Sequence, residues 1–227
     1  MTIIRDIAIN AIGAFLGGFA LLWVTLSPKG LKFLRSRLKR PSIDIEQRRT
    51  PENIFTALEL GASAEWVREQ LGAPTRVDEN WWGYRFSDAL VSLHFSTEKS
   101  VERIAVAITD SETHFDFPAW HFDCPPLGKI TARDLLAVEH LEMQFNDSTR
   151  HSELKFTGRE GPKGAWHYIA FGSLAPHYPG PILEPRFEWD KEKNRLITDP
   201  NDVLINWAAV SRSDKDLGFP WDFGLTI

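Results

Sequence analysis

A run of twenty residues without a charged side chain, near the N-terminus, most constrains what this chain can fold into. Residues 7–26 read IAINAIGAFLGGFALLWVTL, and only Asn10 and Thr25 among them are strongly polar. A helix that crosses the hydrocarbon core of a bilayer needs about 20 predominantly apolar residues. The sequence therefore predicts a single transmembrane helix, because the run is longer than the apolar core of a cleavable signal peptide.

Six basic residues follow this run and set the predicted orientation. Cytoplasmic flanks of membrane helices carry an excess of Lys and Arg, so we expect the rest of the chain in the cytoplasm, at the inner membrane of a bacterial cell. The segment 27–40 is typical of a short interfacial helix, or of a stop-transfer cluster without a lipid role. In the first case, the residues that contact anionic lipid headgroups are Lys29, Lys32, Arg35, Arg37, Lys39 and Arg40.

Small residues form a flat surface along the predicted membrane helix. Such a surface lets two helices approach closely, and a side-chain amide can hydrogen-bond across the contact. The pattern predicts a homodimer through this helix or pairing with another membrane protein, although glycine is also common in membrane helices that do not associate. The residues concerned are Asn10, Gly13, Ala14, Gly17 and Gly18.

Charge is divided unevenly along the chain. Residues 1–40 hold seven of the 26 basic residues and one of the 31 acidic ones, so residues 41–227 carry 19 basic against 30 acidic residues, a net charge of −11. An acidic globule repels nucleic acid, and the sequence therefore predicts no nucleic-acid partner. Cys124 is the only cysteine, which excludes an intrachain disulfide and a multi-cysteine zinc site.

The apolar pattern divides the rest of the chain into a linker at 41–50 and two units, 51–110 and 111–227. In the first unit, helical spacing at 51–71 gives way to alternation, which predicts two helices, the second starting at Ser63, and then three antiparallel strands. In the second unit, the pattern predicts a helix that starts at Thr131, four strand-like runs at 153–156, 166–171, 186–189 and 195–198, and a last helix that begins at Asp199.

These predictions together indicate an α+β fold. It consists of an N-terminal single transmembrane helix followed by antiparallel-sheet units, each with helices packed on one face, and the second unit is either a duplicate of the first or unrelated to it.

The first unit resembles a known small domain. The phrases WVREQLGAPTRVDENWWGYRF and LVSLHFSTEKSVERIAV, within residues 50–108, are similar to the SmpA/OmlA domain of the BamE-like lipoproteins. Its Leu-Gly-x-Pro turn is matched at 71–74, and its V-x-x-I strand at 101–104. The resemblance implies a small α+β domain with a binding or scaffolding role. It also raises the alternative of a periplasmic envelope-assembly factor, although the N-terminal cysteine that such lipoproteins lipidate is absent.

Two short His-Phe-Asp repeats, at 114–116 and 121–123, form the pattern that most resembles a metal-binding site. Residues i and i+2 of an extended chain face the same way, so these repeats could present nitrogen and oxygen ligands to one metal ion. The other interpretation is a loop whose Phe side chains pack inward while His and Asp face water. We predict no cofactor, and a metal-dependent enzyme only on the first interpretation, with His114, Asp116, His121 and Asp123 as ligands.

The adjacent tryptophans Trp81 and Trp82 supply the last candidate site. Neighbouring residues of a strand point to opposite faces, so one of the two indoles is either covered by the second half of the chain or exposed. An exposed tryptophan is a frequent centre of protein binding. We therefore expect a non-enzymatic, membrane-anchored module that binds or scaffolds a protein partner, with the membrane-tethered enzyme as the alternative.

Overall fold

The computed structural model describes residues 48–119, 122–162, 165–177, 182–215 and 217–220. The predicted membrane helix, its helix-association residues and the basic segment all lie outside these ranges. The described residues belong to one compact unit.

A single antiparallel sheet of eight strands dominates this unit. Its strands are β1 Arg76–Asp78, β2 Trp81–Arg85, β3 Ala89–Phe95, β4 Val101–Ile108, β5 Glu142–Asp147, β6 His151–Glu160, β7 His167–Pro176 and β10 Trp207–Ser211. In the sheet they lie in the order β1-β2-β3-β4-β10-β7-β6-β5. A separate hairpin joins β8 Trp189–Asp190 to β9 Arg195–Leu196. Three short α-helices, α1 Ile54–Ala57, α2 Ala64–Leu71 and α3 Ala132–Leu136, and a 3-10 turn at Pro200–Asp202 complete the described elements.

The last strand, β10, occupies the middle of the sheet. Trp207 lies opposite Ala107 of β4 on one side and Gly172 of β7 on the other. Strand β10 therefore joins the meander β1–β4 to the meander β5–β7 through continuous hydrogen-bonded ladders. At its start, the buried Asn206 side chain accepts from the Leu174 N–H and donates to the Leu174 and Leu183 carbonyls, which fixes the strand to the end of β7.

The two faces of the sheet carry different cores. On one, which we call the helix face, the three helices cover large side chains such as Leu93, Ile104 and Phe171. On the other, which we call the tail face, small residues dominate the centre, and Trp207, Leu217 and Phe219 cover them. The small side chains leave room for residues 217–220, the C-terminal segment, to lie directly on the sheet.

Local signals explain the helix ends. The Ser63 hydroxyl accepts from the Trp66 N–H at the start of α2, and Gly72 ends that helix with a positive φ of 77°. At α3, the Asp134 carboxylate accepts from the N–H and hydroxyl of Thr131. The predicted starts of both helices are confirmed.

The predicted α+β architecture is wrong, because the helices are few and short and one large sheet contains both halves of the chain. The helix predicted from residue 131 ends at Leu136, and strand β5 follows it. The helix predicted from Asp199 is a 3-10 turn, and the chain then enters β10. Ladder hydrogen bonds to two neighbouring strands outweigh the modest helix preference of the alanines in β10.

The membrane predictions also need correction. In the part of the chain that the structure describes, no helix has the length and apolar character to cross a bilayer. The run at 7–26 lies outside that part. The predicted single-pass inner-membrane location is therefore not supported by the described residues.

Candidate functional site

A cleft of about 1120 Å³ opens on the tail face, above strands β5, β6 and β7. Alternate residues of these strands form its floor. Glu142 lies opposite Thr157, and Gln144 lies opposite Lys155, so four polar side chains from two neighbouring strands point the same way. The C-terminal segment borders the cleft through Leu217 and Gly218.

Aromatic side chains stand on the other side of the cleft. Trp166 is 48% exposed, which is unusual for a tryptophan. Tyr168 lies beneath the Arg159 guanidinium, whose carbon is 5.1 Å from the ring centroid. The cleft therefore presents a half-exposed indole at Trp166 and an aromatic ring covered by a cation at Tyr168.

Among the described residues that line the cleft, basic and acidic side chains both occur. Lys155 and Arg159 are basic, and Glu142 and Asp214 are acidic. A cleft of this kind suits a ligand that carries both signs of charge and some apolar surface. It does not favour a densely anionic ligand, which would meet two carboxylates.

A buried arginine holds the C-terminal segment against the sheet. Arg103 is 3% exposed, and its Nη2 donates to the Gly218 carbonyl. Its guanidinium carbon lies 5.3 Å from the centroid of the Trp81 ring. Leu217 and Phe219 on either side of Gly218 are buried, so this border of the cleft is anchored by a charge-assisted hydrogen bond and two apolar contacts.

A histidine and a buried carboxylate meet at the edge of the cleft. His140 Nε2 lies 2.9 Å from Glu160 Oε1, and the Glu160 side chain is only 1% exposed. His140 itself lines the cleft. A carboxylate that orients an accessible imidazole is an arrangement that general-base catalysis uses.

Cys124 does not supply a nucleophile for this pair. Burial, followed by the nearby carboxylates of Asp134, Glu160 and Asp123, raises the pKa of its thiol to about 12. The thiol is therefore protonated at neutral pH and unreactive.

A second group of Ser, His and Asp side chains lies near the β5–β6 turn. The Ser152 hydroxyl is 2.6 Å from Asp147 Oδ1 and 3.0 Å from His177 Nε2. Hydrogen bonds from Lys191 and then from Ser152 hold the pKa of Asp147 below its usual range, which favours the carboxylate. Because Ser152 has one hydroxyl proton and gives it to Asp147, His177 cannot activate this serine as it would in a catalytic triad.

The predicted metal ligands have exposed surroundings. His114 and Asp116 are exposed, while Phe115 and Phe117 between and beside them are buried. Both exposed residues border a smaller pocket of about 380 Å³. Asp123 is also exposed, and His121 lies outside the described residues.

No group of three or more His, Cys, Asp or Glu side chains within the described ranges could hold a metal ion. The metal site, which includes His121, stays a prediction.

The two adjacent tryptophans lie on opposite faces of β2. Trp82 is buried on the helix face, 4.6 Å from the Phe95 ring and beneath Arg68. Trp81 is half-buried on the tail face, 4.5 Å from the His94 ring. Its predicted role in protein binding stays a prediction.

The exposed aromatic side chain of the cleft is Trp166, which the sequence analysis placed in a strand and not in a site. Its neighbours in the cleft come from residues 140–218, and the helix predicted from Thr131 extended over the first two residues of β5. No local pattern in the sequence brings these segments together, so the cleft could not be inferred from spacing alone.

Neither a family model, nor a curated protein, nor a solved structure matches this chain. The resemblance of residues 50–108 to the SmpA/OmlA domain therefore stays a prediction.

Proposed function

We propose that this protein is a non-enzymatic binding module that takes a segment of a partner protein into the cleft on the tail face. The observation that carries the proposal is Trp166, 48% exposed on the side of a cleft of about 1120 Å³. Exposed tryptophan and arginine side chains are the residues that most often dominate the energy of protein interfaces.

The size of the cleft supports a peptide segment over a small metabolite. Pockets for small molecules enclose roughly 300–1,000 Å³ and bury most of the ligand surface. This cleft is larger, and it runs across three strands instead of forming a closed cavity. A segment of several residues would use the polar floor for main-chain contacts and Trp166 for an apolar side chain.

The charge pattern supports the same conclusion. Lys155 and Arg159 could pair with acidic side chains of a partner, and Glu142 and Asp214 with basic ones. Such pairs add specificity and speed of association more than affinity.

A random-peptide library displayed on phage tests this proposal. Peptides selected on the full-length protein should lose affinity by about 2 kcal/mol, or about thirtyfold, when Trp166 is replaced by alanine. Trp66 supplies the matched control, because it is also exposed, at 36%, but lies on α2 away from the cleft. Trp66→Ala should leave the affinity unchanged. Selected peptides that bind the Trp166→Ala protein as tightly as the wild type would refute the cleft as the binding site.

The His140–Glu160 pair favours a second candidate, an enzyme that uses His140 as a general base at the cleft. A screen of ester, amide and glycoside substrates would distinguish it from the binding module. The enzyme would be supported if the wild type turned over a substrate and the His140→Ala protein did not, while that variant still bound the selected peptides. Equal background rates in both proteins would reject it.

A further inference from the structure

The two edges of the eight-stranded sheet differ in how they are protected. At one edge, β1 has only three residues, and Arg76 and Asp78 are charged. At the other edge, β5 has six residues, and its four central ones, Met-Gln-Phe-Asn, carry no charge and no proline. Natural proteins usually shorten or charge an exposed edge strand to prevent pairing with another chain, and β5 lacks both features along its centre.

The main-chain groups of β5 alternate between its neighbour and the open side. Ser148 and His151 form the hydrogen-bonded pair that closes the turn to β6. In an antiparallel ladder, hydrogen-bonded and non-hydrogen-bonded pairs alternate, so the N–H and C=O groups of Met143 and Phe145 point away from β6. Within the described part of the sheet, β5 pairs with β6 alone.

The side chains of β5 determine what could pair with it. Glu142 and Asp147 stand at its two ends, and Met143 is 37% exposed between them. A second copy of the chain is a poor partner, because residues 41–227 of both copies carry a net charge of −11 and repel each other. A segment with basic residues facing Glu142 and an apolar residue beside Met143 has complementary chemistry. The net charge of −11 on residues 41–227 favours the same basic partner.

We propose that β5 is a docking edge, at which a basic, alternating segment of a partner protein adds a ninth strand to the sheet. The inference rests on the proposed binding function and names the form that the partner takes. Main-chain hydrogen bonds to Met143 and Phe145 supply affinity, and Glu142, which also lines the cleft, selects a basic side chain.

A synthetic peptide of alternating Lys and Val residues is the probe. It should bind the full-length protein, and N-methylation of every second residue along one edge should weaken binding by at least about tenfold, since it removes the pairing N–H groups and keeps all side chains. Amide hydrogen exchange at Met143 and Phe145 should slow when the unmodified peptide is bound.

Met143→Pro should weaken the same binding to a similar extent. A proline is tolerated here because its missing N–H faces away from β6. Val77→Pro is the matched control. Asp78 and Trp81 form the hydrogen-bonded pair that closes the two-residue turn between β1 and β2. The N–H of the preceding residue, Val77, therefore points away from β2, as the N–H of Met143 points away from β6. That variant should bind as the wild type does.

Three results would overturn the docking edge. The first is equal binding of the N-methylated and unmodified peptides, the second is an equal effect of Val77→Pro and Met143→Pro, and the third is no binding of the unmodified peptide at about 1 mM. If Trp166→Ala weakens binding of library-selected peptides about thirtyfold while Met143→Pro leaves peptide binding unchanged, the binding function stands and the strand addition fails.

Discussion

At the scale of single residues, a carboxyl group buried on the tail face lowers the stability of the fold. Glu153 is 7% exposed, and burial raises the pKa of its side chain. Nearby Lys155, the Trp207 indole and Arg103 reduce this effect only in part. The ionised form of Glu153 is therefore less stable in the folded protein than in the unfolded chain.

This difference predicts how stability depends on pH. The pKa of Glu153 is higher in the folded protein than in the unfolded chain. At pH values above the folded pKa, the buried carboxylate lowers the free energy of unfolding by its full amount. At pH values below the unfolded pKa, the group is protonated in both states and this loss of stability disappears. Glu153→Gln should therefore raise the free energy of unfolding at pH 7, by about 1 kcal/mol on the scale of single buried substitutions. Urea unfolding should show that the gain shrinks near the pKa of a free glutamate, about pH 4.

Glu69→Gln provides the control, because Glu69 is exposed on α2. It should change the free energy of unfolding little at either pH. A Glu153→Gln protein that is less stable than the wild type at pH 7 would show that the carboxylate makes stabilising contacts instead.

At the scale of elements, the contact between β7 and β10 depends on a missing side chain. Trp207 is completely buried and lies over Gly172, so that a Cβ built on Gly172 would stand 2.1 Å from the indole nitrogen. The tail face accepts this large ring at the centre of the sheet only because its neighbours on β7 and β4 are glycine and alanine.

Gly172→Ala should therefore lower the free energy of unfolding by about 1–3 kcal/mol, the usual cost of overpacking a tight core. Gly218→Ala is the control, since no described atom lies within 4 Å of a Cβ at that position. Thermal unfolding followed by circular dichroism measures both. A Gly172→Ala protein as stable as Gly218→Ala would mean that Trp207 moves without cost.

The same two strands mark how far the fold could be predicted from the sequence. Alternation of large apolar residues revealed β2, β3 and β4, and the Ser63 and Thr131 caps revealed the starts of α2 and α3. Strand β10 was hidden because Asp199-Pro200 is a strong helix-start signal and two alanines follow Trp207. The decisive property of these alanines is their small size between two strands, which is known only when the neighbours are known.

At the scale of the whole molecule, β10 couples the two meanders into one sheet. Its residues pair with Arg103–Ala107 on one side and Tyr168–Gly172 on the other. The apolar core on the tail face contains residues of both meanders together with Trp207 and Ala209 of β10. Without β10, neither meander could bury its part of this core. The two halves should therefore unfold together.

Calorimetry of the full-length protein should accordingly show a single transition for residues 48–220, with circular dichroism and tryptophan fluorescence changing at the same temperature. Ala209→Pro should lower this temperature for both probes, because it removes a ladder hydrogen bond in the middle of the strand that joins the two meanders. Two separate transitions, of which only one shifts in the variant, would contradict the coupling.

The cleft depends on the assembly of the whole sheet, since its floor, its aromatic side and its border come from β5, β7 and the C-terminal segment. A photoreactive phenylalanine analogue placed at position 166 tests its role most directly, in cells that express the full-length protein at its native level. We predict a covalent product with a specific partner from position 166 and none from position 66, the exposed control on α2. Equal products from both positions, or none from 166, would contradict the proposed binding function.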